Sequence, residues 1–239
     1  MRILITNDDS ISARQLLPLA KHCQKYGEVT IAVPKYEQSA KSHAIELRNA
    51  FSVQKQVIDG ITTFVVDSTP SDCVRYAVLG LEQRYDLIIS GINIGFNMGT
   101  DMLYSGTIAA IEESGILKIP AIALSTDPEY YDNVIKHLDE VFGFIFNNKL
   151  LDLHPLYNVN IPPSPKGIKI TRQGGTFFSD SFVNTEGDLY KASGKCLYTP
   201  SNDLTLDTDA VMSGYISILP LTINMTDKAV FEQLNKAYN

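Results

Sequence analysis

The stretch Asp86-Leu87-Ile88-Ile89-Ser90-Gly91-Ile92-Asn93-Ile94-Gly95-Phe96-Asn97-Met98-Gly99-Thr100-Asp101, followed by Ser105-Gly106-Thr107, decides how this chain folds. Its first residues form a short apolar run ending in a turn signal, the pattern of a strand buried on both faces of a parallel sheet. The residues after Ser90 make little sense as packing, because glycine fixes no core contact and asparagine is not buried without partners. Glycines at 91, 95 and 99 with asparagines at 93 and 97 instead make a loop whose backbone can approach an anion closely. The helix opening after Ser105 aims unsatisfied N–H donors at a phosphate.

Upstream, Arg2-Ile3-Leu4-Ile5-Thr6 reads as a first strand and ends in Asn7-Asp8-Asp9-Ser10. Ala13, Leu16, Leu17, Ala20 and Cys23 recur at helical spacing and mark an amphipathic helix ending near Gly27. Val29 to Val33 is a second strand stopped by Pro34, Lys35 to His43 is polar and irregular, and 44–53 and 62–66 read as a hairpin or short strands. Thr69-Pro70-Ser71-Asp72 supplies a cap, a proline at the first helical position and an acid three residues after the cap, so a helix is expected over 70–81. Behind the helix at Ser105 comes a strand over Ile119–Leu124. Tyr130, Tyr131, Val134, Ile135, Leu138, Val141, Phe142 and Ile145 then form a helical stripe, read as core. This alternation predicts an α/β fold of three layers, a mainly parallel sheet covered by helices on both faces.

From about residue 148 prolines at 155, 162, 163 and 165 punctuate short strand-like pieces, and Gln173-Gly174-Gly175 and Glu186-Gly187-Asp188 read as turns. Tyr215 to Leu221 looks like a strand returning to the sheet, and Thr226-Asp227 caps a last helix. The expected organisation is one domain over 1–239, with the α/β core at 1–147, a β-rich elaboration and returning strand at 148–225, and a C-terminal helix at 226–239. Phe177, Phe178, Phe182, Leu197 and Tyr198 recur in the elaboration, and short strands expose edges and apolar faces unless something covers them. A second copy of the chain is the expected cover, which makes this an oligomerisation segment.

A chain of 239 residues can bury a full-sized core. Its formal net charge of -7 argues against a nucleic-acid polymer as partner, since backbone binding needs a basic footprint. Cys23, Cys73 and Cys196 are odd in number without C-x-x-C spacing, which suits a reducing compartment, and all three are expected to be buried. There is no signal-peptide pattern and no apolar run near the roughly 18 to 20 residues of a membrane span, so a soluble cytoplasmic protein without a membrane partner is expected.

Ligands of open α/β sheets sit beyond the carboxyl ends of the strands. Asp8 and Asp9 follow the first strand, Asn93 follows the Asp86 strand, and Ser39 lies in the connection after the second, so all four can converge on one rim. Two carboxylates, an amide oxygen and a hydroxyl suit one hard divalent ion, Mg²⁺ or Mn²⁺. A metal beside a phosphate cradle points to phosphoryl chemistry. The G-x-x-x-x-G-K-[ST] loop, the G-x-G-x-x-G pattern and the G-x-S-x-G elbow are absent. His22, His43, His137 and His154 show no metal-binding spacing, although His43 lies close to the Ser39 loop.

Taken together, Ile3 to Asp9, Ser39, Ser68-Thr69-Pro70-Ser71-Asp72-Cys73-Val74, Ser90 to Gly99, Tyr104-Ser105-Gly106-Thr107 with Ala109, Ala110 and Glu112, and Asp209-Ala210-Val211 with Gly214-Tyr215-Ile216-Ser217 resemble the SurE family of survival-protein nucleotidases. The likeness runs along nearly the whole chain in the family's order. It implies a Rossmann-like core, a C-terminal segment used in dimer or tetramer formation, and a metal-dependent phosphatase acting on nucleoside 5′- and often 3′-monophosphates. It implies Asp8, Asp9, Ser39 and Asn93 as metal ligands, and Asn97, Ser105, Gly106 and Thr107, with loop glycine Gly95, on the phosphate side. The chain departs from the family pattern at Ser10, Ala40 and Ser68, each standing where the family usually has glycine.

On this reading Asp8 or Asp9 orients or deprotonates the attacking water, while Asn97, Ser105 and Thr107 hold the phosphoryl group in line. Two alternatives stand beside it. One is a covalent aspartyl phosphatase in which Asp8 attacks phosphorus, although that class usually shows D-x-D after the first strand. The other is a catalytically silent nucleotide-binding regulator.

Overall fold

A computed structural model describes residues 1–238. β1 (Arg2–Thr6) runs through the middle of the molecule. Side chains alternate across a strand, so Ile3 and Ile5 enter one core and Leu4 the other. It pairs in parallel with β2 (Glu28–Pro34) on one side and β5 (Leu87–Ile94) on the other. β2 pairs in parallel with β4 (Ile61–Val66), which forms an antiparallel edge hairpin with β3 (Val53–Ile58). Beyond β5 come β6 (Ala121–Thr126) and β7 (Leu156–Ile161), both parallel. β11 (Ile216–Pro220) then adds antiparallel to β7, with β8 (Ile168–Ile170) parallel to β11 at the far edge. The nine-stranded order is β3-β4-β2-β1-β5-β6-β7-β11-β8. β9 (Phe178–Glu186) and β10 (Leu189–Cys196) form a separate antiparallel hairpin.

Helices cover both faces. Leu16, Leu19, Ala20 and Cys23 of α1 (Leu16–Cys23) and Leu138, Val141, Phe142 and Ile145 of α4 (Leu138–Asn147) close one core. Cys73 and Val74 of α2 (Pro70–Arg75), with Ile108, Ala110 and Ile111 of α3 (Gly106–Ile116), close the other. Thr69 caps α2 by accepting from the Asp72 N–H at 3.2 Å, as its sequence predicts. A short α5 (Leu150–Leu153) precedes β7, α6 (Asp207–Met212) precedes β11, and α7 (Lys228–Tyr238) ends the described chain. Asp227 caps α7, accepting from the Val230 N–H at 3.0 Å.

The structure adjusts several sequence expectations. The helix expected over 70–81 is α-helical only to Arg75 and continues as a π-turn over Tyr76–Gly80, closed by Leu81 N–H donating to Tyr76 O at 2.9 Å. The stripe from Tyr130 to Ile145 is two elements, a 3₁₀ run over Pro128–His137 and then α4. Its first part carries proline, two tyrosines, Asp132 and Asn133, poor α-helix formers that tolerate the tighter turn. Residues 44–52 are irregular, so the edge hairpin begins at Val53. β5 does not stop at Ser90 but runs to Ile94 with a break in register between Ser90 and Asn93. Gly91 makes that break possible, since a Cβ there would meet Leu124 O at 2.4 Å. Of 148–225, β7, β8 and β11 join the main sheet, and β9–β10 stands apart. Cys23 and Cys73 are buried, but Cys196 is exposed on the hairpin. Among the described residues no helix is long and apolar enough to cross a membrane.

Candidate active site

Chain order reverses between β1 and β5: β2 and β4 lie on one side, β6 and β7 on the other. Thr6 pairs with Ser90, so the carboxyl ends of the two strands open onto the crevice where ligands of such sheets bind. Asp8 lies there, almost fully buried. Its Oδ1 accepts from the Thr107 hydroxyl at 2.6 Å and its Oδ2 from the Thr107 N–H at 3.2 Å. The first turn of α3 therefore closes directly over it. Gly106 allows this approach, because a Cβ there would meet Asp8 Cβ at 2.9 Å and Pro70 Cγ at 3.2 Å.

Asp9 is more open. Its Oδ2 accepts from the Ile94 N–H at 3.3 Å, which sets Asp9 against the turn carrying Asn93. Asn93 donates its Nδ2 to Gly95 O at 2.8 Å, so its Oδ1 is the acceptor it retains. Ser39 reaches the same rim through its backbone: the neighbouring Gln38 N–H donates to Asp8 O at 2.8 Å. The Ser39 hydroxyl is exposed and donates to Glu37 Oε1 at 2.7 Å.

Burial pushes the Asp8 carboxyl above its ordinary range against the pull of its Thr107 hydrogen bonds. Burial and then the charge of Asp8 push Asp9 up to about 7. Glu37 adds a third negative charge to both, and among the described residues no ion pair joins either carboxylate to a lysine or arginine, although Arg14 and Lys35 line the same cavity as Asp9. Buried oxygens without partners, Thr6 Oγ1, Asn7 Oδ1 and Ser90 Oγ, lie at the same strand ends. Among the described residues no three His, Cys, Asp or Glu side chains gather as a metal cluster. The set present is two carboxylates, a hydroxyl and an amide oxygen, all hard donors, and its negative charge fits a hard divalent cation.

Ser105 caps α3, its Oγ accepting from the Ile108 N–H at 3.2 Å, which leaves its hydroxyl proton to donate. Asn97 is locked from several sides. Its N–H donates to Asn160 Oδ1 at 2.9 Å, its Nδ2 to Ser125 Oγ at 2.8 Å, and its carbonyl accepts from Asn158 and Asn160 at 2.7 and 2.8 Å. Gly95 N–H donates to Thr126 O at 2.8 Å. The loop is held further along by buried Asp207, which accepts from the N–H groups of Gly99 at 2.9 Å and Gly174 at 2.7 Å. Ser125, Asn158, Asn160 and Asp207 are thus supports that sequence reading did not single out, since their partners lie far away in the chain.

The Ser39 loop is fastened to α3 by a polar cluster. His43 Nδ1 lies 3.3 Å from Glu112 Oε2 and Nε2 lies 2.9 Å from Glu113 Oε2, while Arg75 donates to Glu113 Oε1 at 3.0 Å. Hydrogen bonds to Glu112 and Glu113 push the imidazole up to about 9. Burial works against the Glu113 charge, yet bonds from His43 and Arg75 hold its carboxyl below its ordinary range. Ser10 and Ala40, where the resemblance leads one to expect glycine, both sit in left-handed backbone, at φ 75° and 56°. Such positions favour glycine.

Fold and site together define a class: a doubly wound α/β protein with paired carboxylates at its switch point, facing the N-terminus of a helix. Residues 3–180 match the family model for survival protein SurE. A protein named 5′-nucleotidase SurE from Clostridium beijerinckii is 35% identical over 256 residues, spanning 100% of this chain and 99% of the relative. One of the same name from Pelotomaculum thermopropionicum is 39% identical over 253 residues, spanning 99% and 95%. The crystal structure of the SurE protein from Aquifex aeolicus matches with a TM-score of 0.81 at 27% identity, covering 100% of both chains. This chain belongs to the SurE family.

Proposed function

We propose that this chain is a 5′-nucleotidase, a phosphoric monoester hydrolase that converts nucleoside 5′-monophosphates to nucleoside and phosphate by attack of water. The observation that carries the reading is the adjacent carboxylate pair, Asp8 bonded to the N-terminal turn of α3 and Asp9 to the turn at Ile94. Relatives bearing the name 5′-nucleotidase SurE along the whole chain support it. Asp8, Asp9, Ser39 and Asn93 would hold one divalent ion, Mg²⁺ or Mn²⁺. When bound, such an ion supplies positive charge against the phosphoryl oxygens and acidifies a water.

The chain's own groups do the rest. Thr107 fixes the orientation of Asp8 through both carboxylate oxygens. Asp9, less buried and engaged through one oxygen, orients the attacking water and takes its proton. Ser105 donates its hydroxyl to a phosphoryl oxygen, and Gly106 offers its N–H at the helix N-terminus. The Gly95–Asn97 turn, locked by Ser125, Asn158 and Asn160, keeps that wall rigid so the phosphoryl group is held in line. A covalent route through Asp8 is disfavoured, because the acids after β1 are the adjacent pair Asp8-Asp9 rather than the D-x-D usual in that class. The reading includes a homo-oligomer, dimer or tetramer, built through the hairpin and α7.

Phosphate release from a panel of nucleoside 5′- and 3′-monophosphates with Mg²⁺ or Mn²⁺, quenched in acid to trap protein-bound phosphate, tests the reading. Hydrolysis of the 5′-monophosphates without phosphoprotein is expected. Nucleotide binding without turnover would favour the silent regulator, and a phosphorylated peptide containing Asp8 would overturn water attack.

A further inference from the structure

The sheet face covered by α2 and α3 is apolar toward the carboxyl ends of its strands, where Leu4, Ala32, Phe64 and Val66 share one core. Two residues nearer the amino ends, the same alternation puts Arg2, Thr30 and Thr62 on that face. α2 ends at Arg75 and its π-turn at Gly80, after which the chain returns to β5. A cavity of about 350 Å³ is left between this return and the strands. Arg2, Thr30, Thr62 and Lys55 line it from the sheet, and Arg84 and Tyr85 from the return.

The charge of this cavity runs against that of the chain. Arg2, Lys55 and Arg84 bring three cations to one opening, and Glu28 is the one carboxylate among its lining residues, in a protein of formal net charge -7. Elsewhere Arg14, Arg75 and Arg172 each pair with a carboxylate. Among the described residues Arg2, Lys55 and Arg84 form no ion pair, with Glu28 or any other acid. A concave site with apolar walls focuses the field of such charges.

The surroundings hold these groups together. Arg2 N–H donates to Asp86 Oδ2 at 2.7 Å and Asp86 N–H to Arg2 O at 2.8 Å, which fixes the start of β1 beside Arg84 and Tyr85. Lys55 Nζ lies 5.9 Å from the centroid of the Phe64 ring, which is buried and meets Tyr76 edge-on at 5.8 Å. The Tyr85 phenol meets the Thr30 hydroxyl between the charges of Arg2 and Glu28.

We propose that this cavity binds a small phosphate-bearing anion of two or more charges, at the end of the sheet opposite the active site. The cations come from three sides: Arg2 from β1, Lys55 from the edge hairpin and Arg84 from the return to β5. A planar carboxylate fills one guanidinium fork, whereas a tetrahedral phosphate presents oxygens to all three. The Thr62 hydroxyl and the Gln83 amide add donors, and Phe64 and Leu81 supply an apolar wall for the carbon part of an ester. The volume suits a ligand of metabolite size. Six residues of extended chain, about 20 Å, separate Arg2 from Asp8, so the site stands apart from the nucleotidase reading.

Calorimetric titration of metal-free protein with inorganic phosphate, pyrophosphate and phenyl phosphate tests the proposal, in wild type and in the double variant Lys55→Gln/Arg84→Gln. Both side chains are exposed, so the change leaves the cores intact. Wild type should bind pyrophosphate at one site per chain, with an affinity that falls as salt is raised and is about tenfold weaker in the double variant. Phenyl phosphate binding more tightly than inorganic phosphate would assign the site to an ester, and equal binding would assign it to phosphate itself. Circular dichroism and AMP turnover with Mn²⁺ should match wild type in the double variant, which separates loss of this site from loss of the fold or of hydrolysis. No binding by wild type, or affinity that the folded double variant keeps in full, would overturn the proposal and leave the nucleotidase reading untouched.

Discussion

Asp9 concentrates the electrostatic tension of the site. Its carboxyl rises from 3.8 to about 7 on folding, so the native chain holds that proton more tightly than the unfolded chain does. Its contribution to stability is therefore most favourable below the unfolded value and is lost as pH rises toward the folded one. Asp9→Asn removes the buried charge: metal-free protein should melt higher than wild type at pH 8 and equally at pH 4, while turnover falls by about two to three orders of magnitude. Thermal melts at both pH values beside a phosphate-release assay check this, and a variant melting lower at pH 8 contradicts it. Ala40 offers a second case. Its left-handed backbone has no compensating side-chain bond, whereas Ser10 Oγ accepts from the Ser12 N–H at 3.2 Å. Ala40→Gly should raise stability by up to about 1 kcal/mol, read as a higher denaturation midpoint. A lower midpoint would show that the backbone there is not strained.

The loop bearing Ser39 has no regular structure of its own and depends on α3 for its place. His43 reaches Glu112 and Glu113 with both ring nitrogens, and Ser42 N–H donates to Tyr104 O at 3.0 Å. Because the folded imidazole titrates at about 9 against an ordinary 6.5, its contribution is fully present below 6.5 and lost as pH rises through 9. His43→Gln, which cannot bridge both carboxylates, should weaken Mn²⁺ binding several-fold at pH 7.5 and flatten the decline in affinity between pH 8 and 10. Titration calorimetry would expose unchanged affinity as a contradiction. The strands and the place of Asp8 and Asp9 were legible because polar residues directly after an apolar run lie at a strand end, whereas Asn93, expected beyond its strand, lies within β5 after the register break, and Ser39 sits in the irregular connection after β2. The His43 clamp and the Asn158 and Asn160 supports were not, because a buried polar residue declares only that it needs a partner. The break at Pro128–His137 was equally hidden, since hydrophobic spacing near 3.6 does not separate 3₁₀ from α over so short a run.

One part of the molecule leaves apolar surface without cover. Phe182 and Tyr190 project from the hairpin, and α7 has no buried residue although Val230, Phe231, Leu234 and Tyr238 fall along one stripe. Exposed apolar patches of this kind mark association surfaces. Sedimentation equilibrium at micromolar protein should therefore return two or four times the 26.4 kDa of one chain. Phe182→Asp together with Phe231→Asp should shift the mass toward one chain while leaving the sheet intact by circular dichroism. A single-chain mass for the unaltered protein would refute the assembly. Of the apolar residues that marked this segment in the sequence, Phe178, Phe182 and Leu197 are exposed, while Phe177 and Tyr198 pack against Met98 and Val211 of the same chain. The joining of β7, β8 and β11 to the main sheet was less visible, because pairing between strands distant in sequence leaves no local mark.

The central claim is that Asp8 and Asp9 support metal-dependent hydrolysis of a nucleoside monophosphate. Phosphate release from AMP, measured after exhaustive treatment with EDTA and again after adding Mn²⁺ or Mg²⁺, tests it most directly. Activity should vanish with the chelator and return with the ion in wild type, and return in neither Asp8→Asn nor Asp9→Asn. Full turnover in metal-free buffer, or full turnover by either variant, would contradict it.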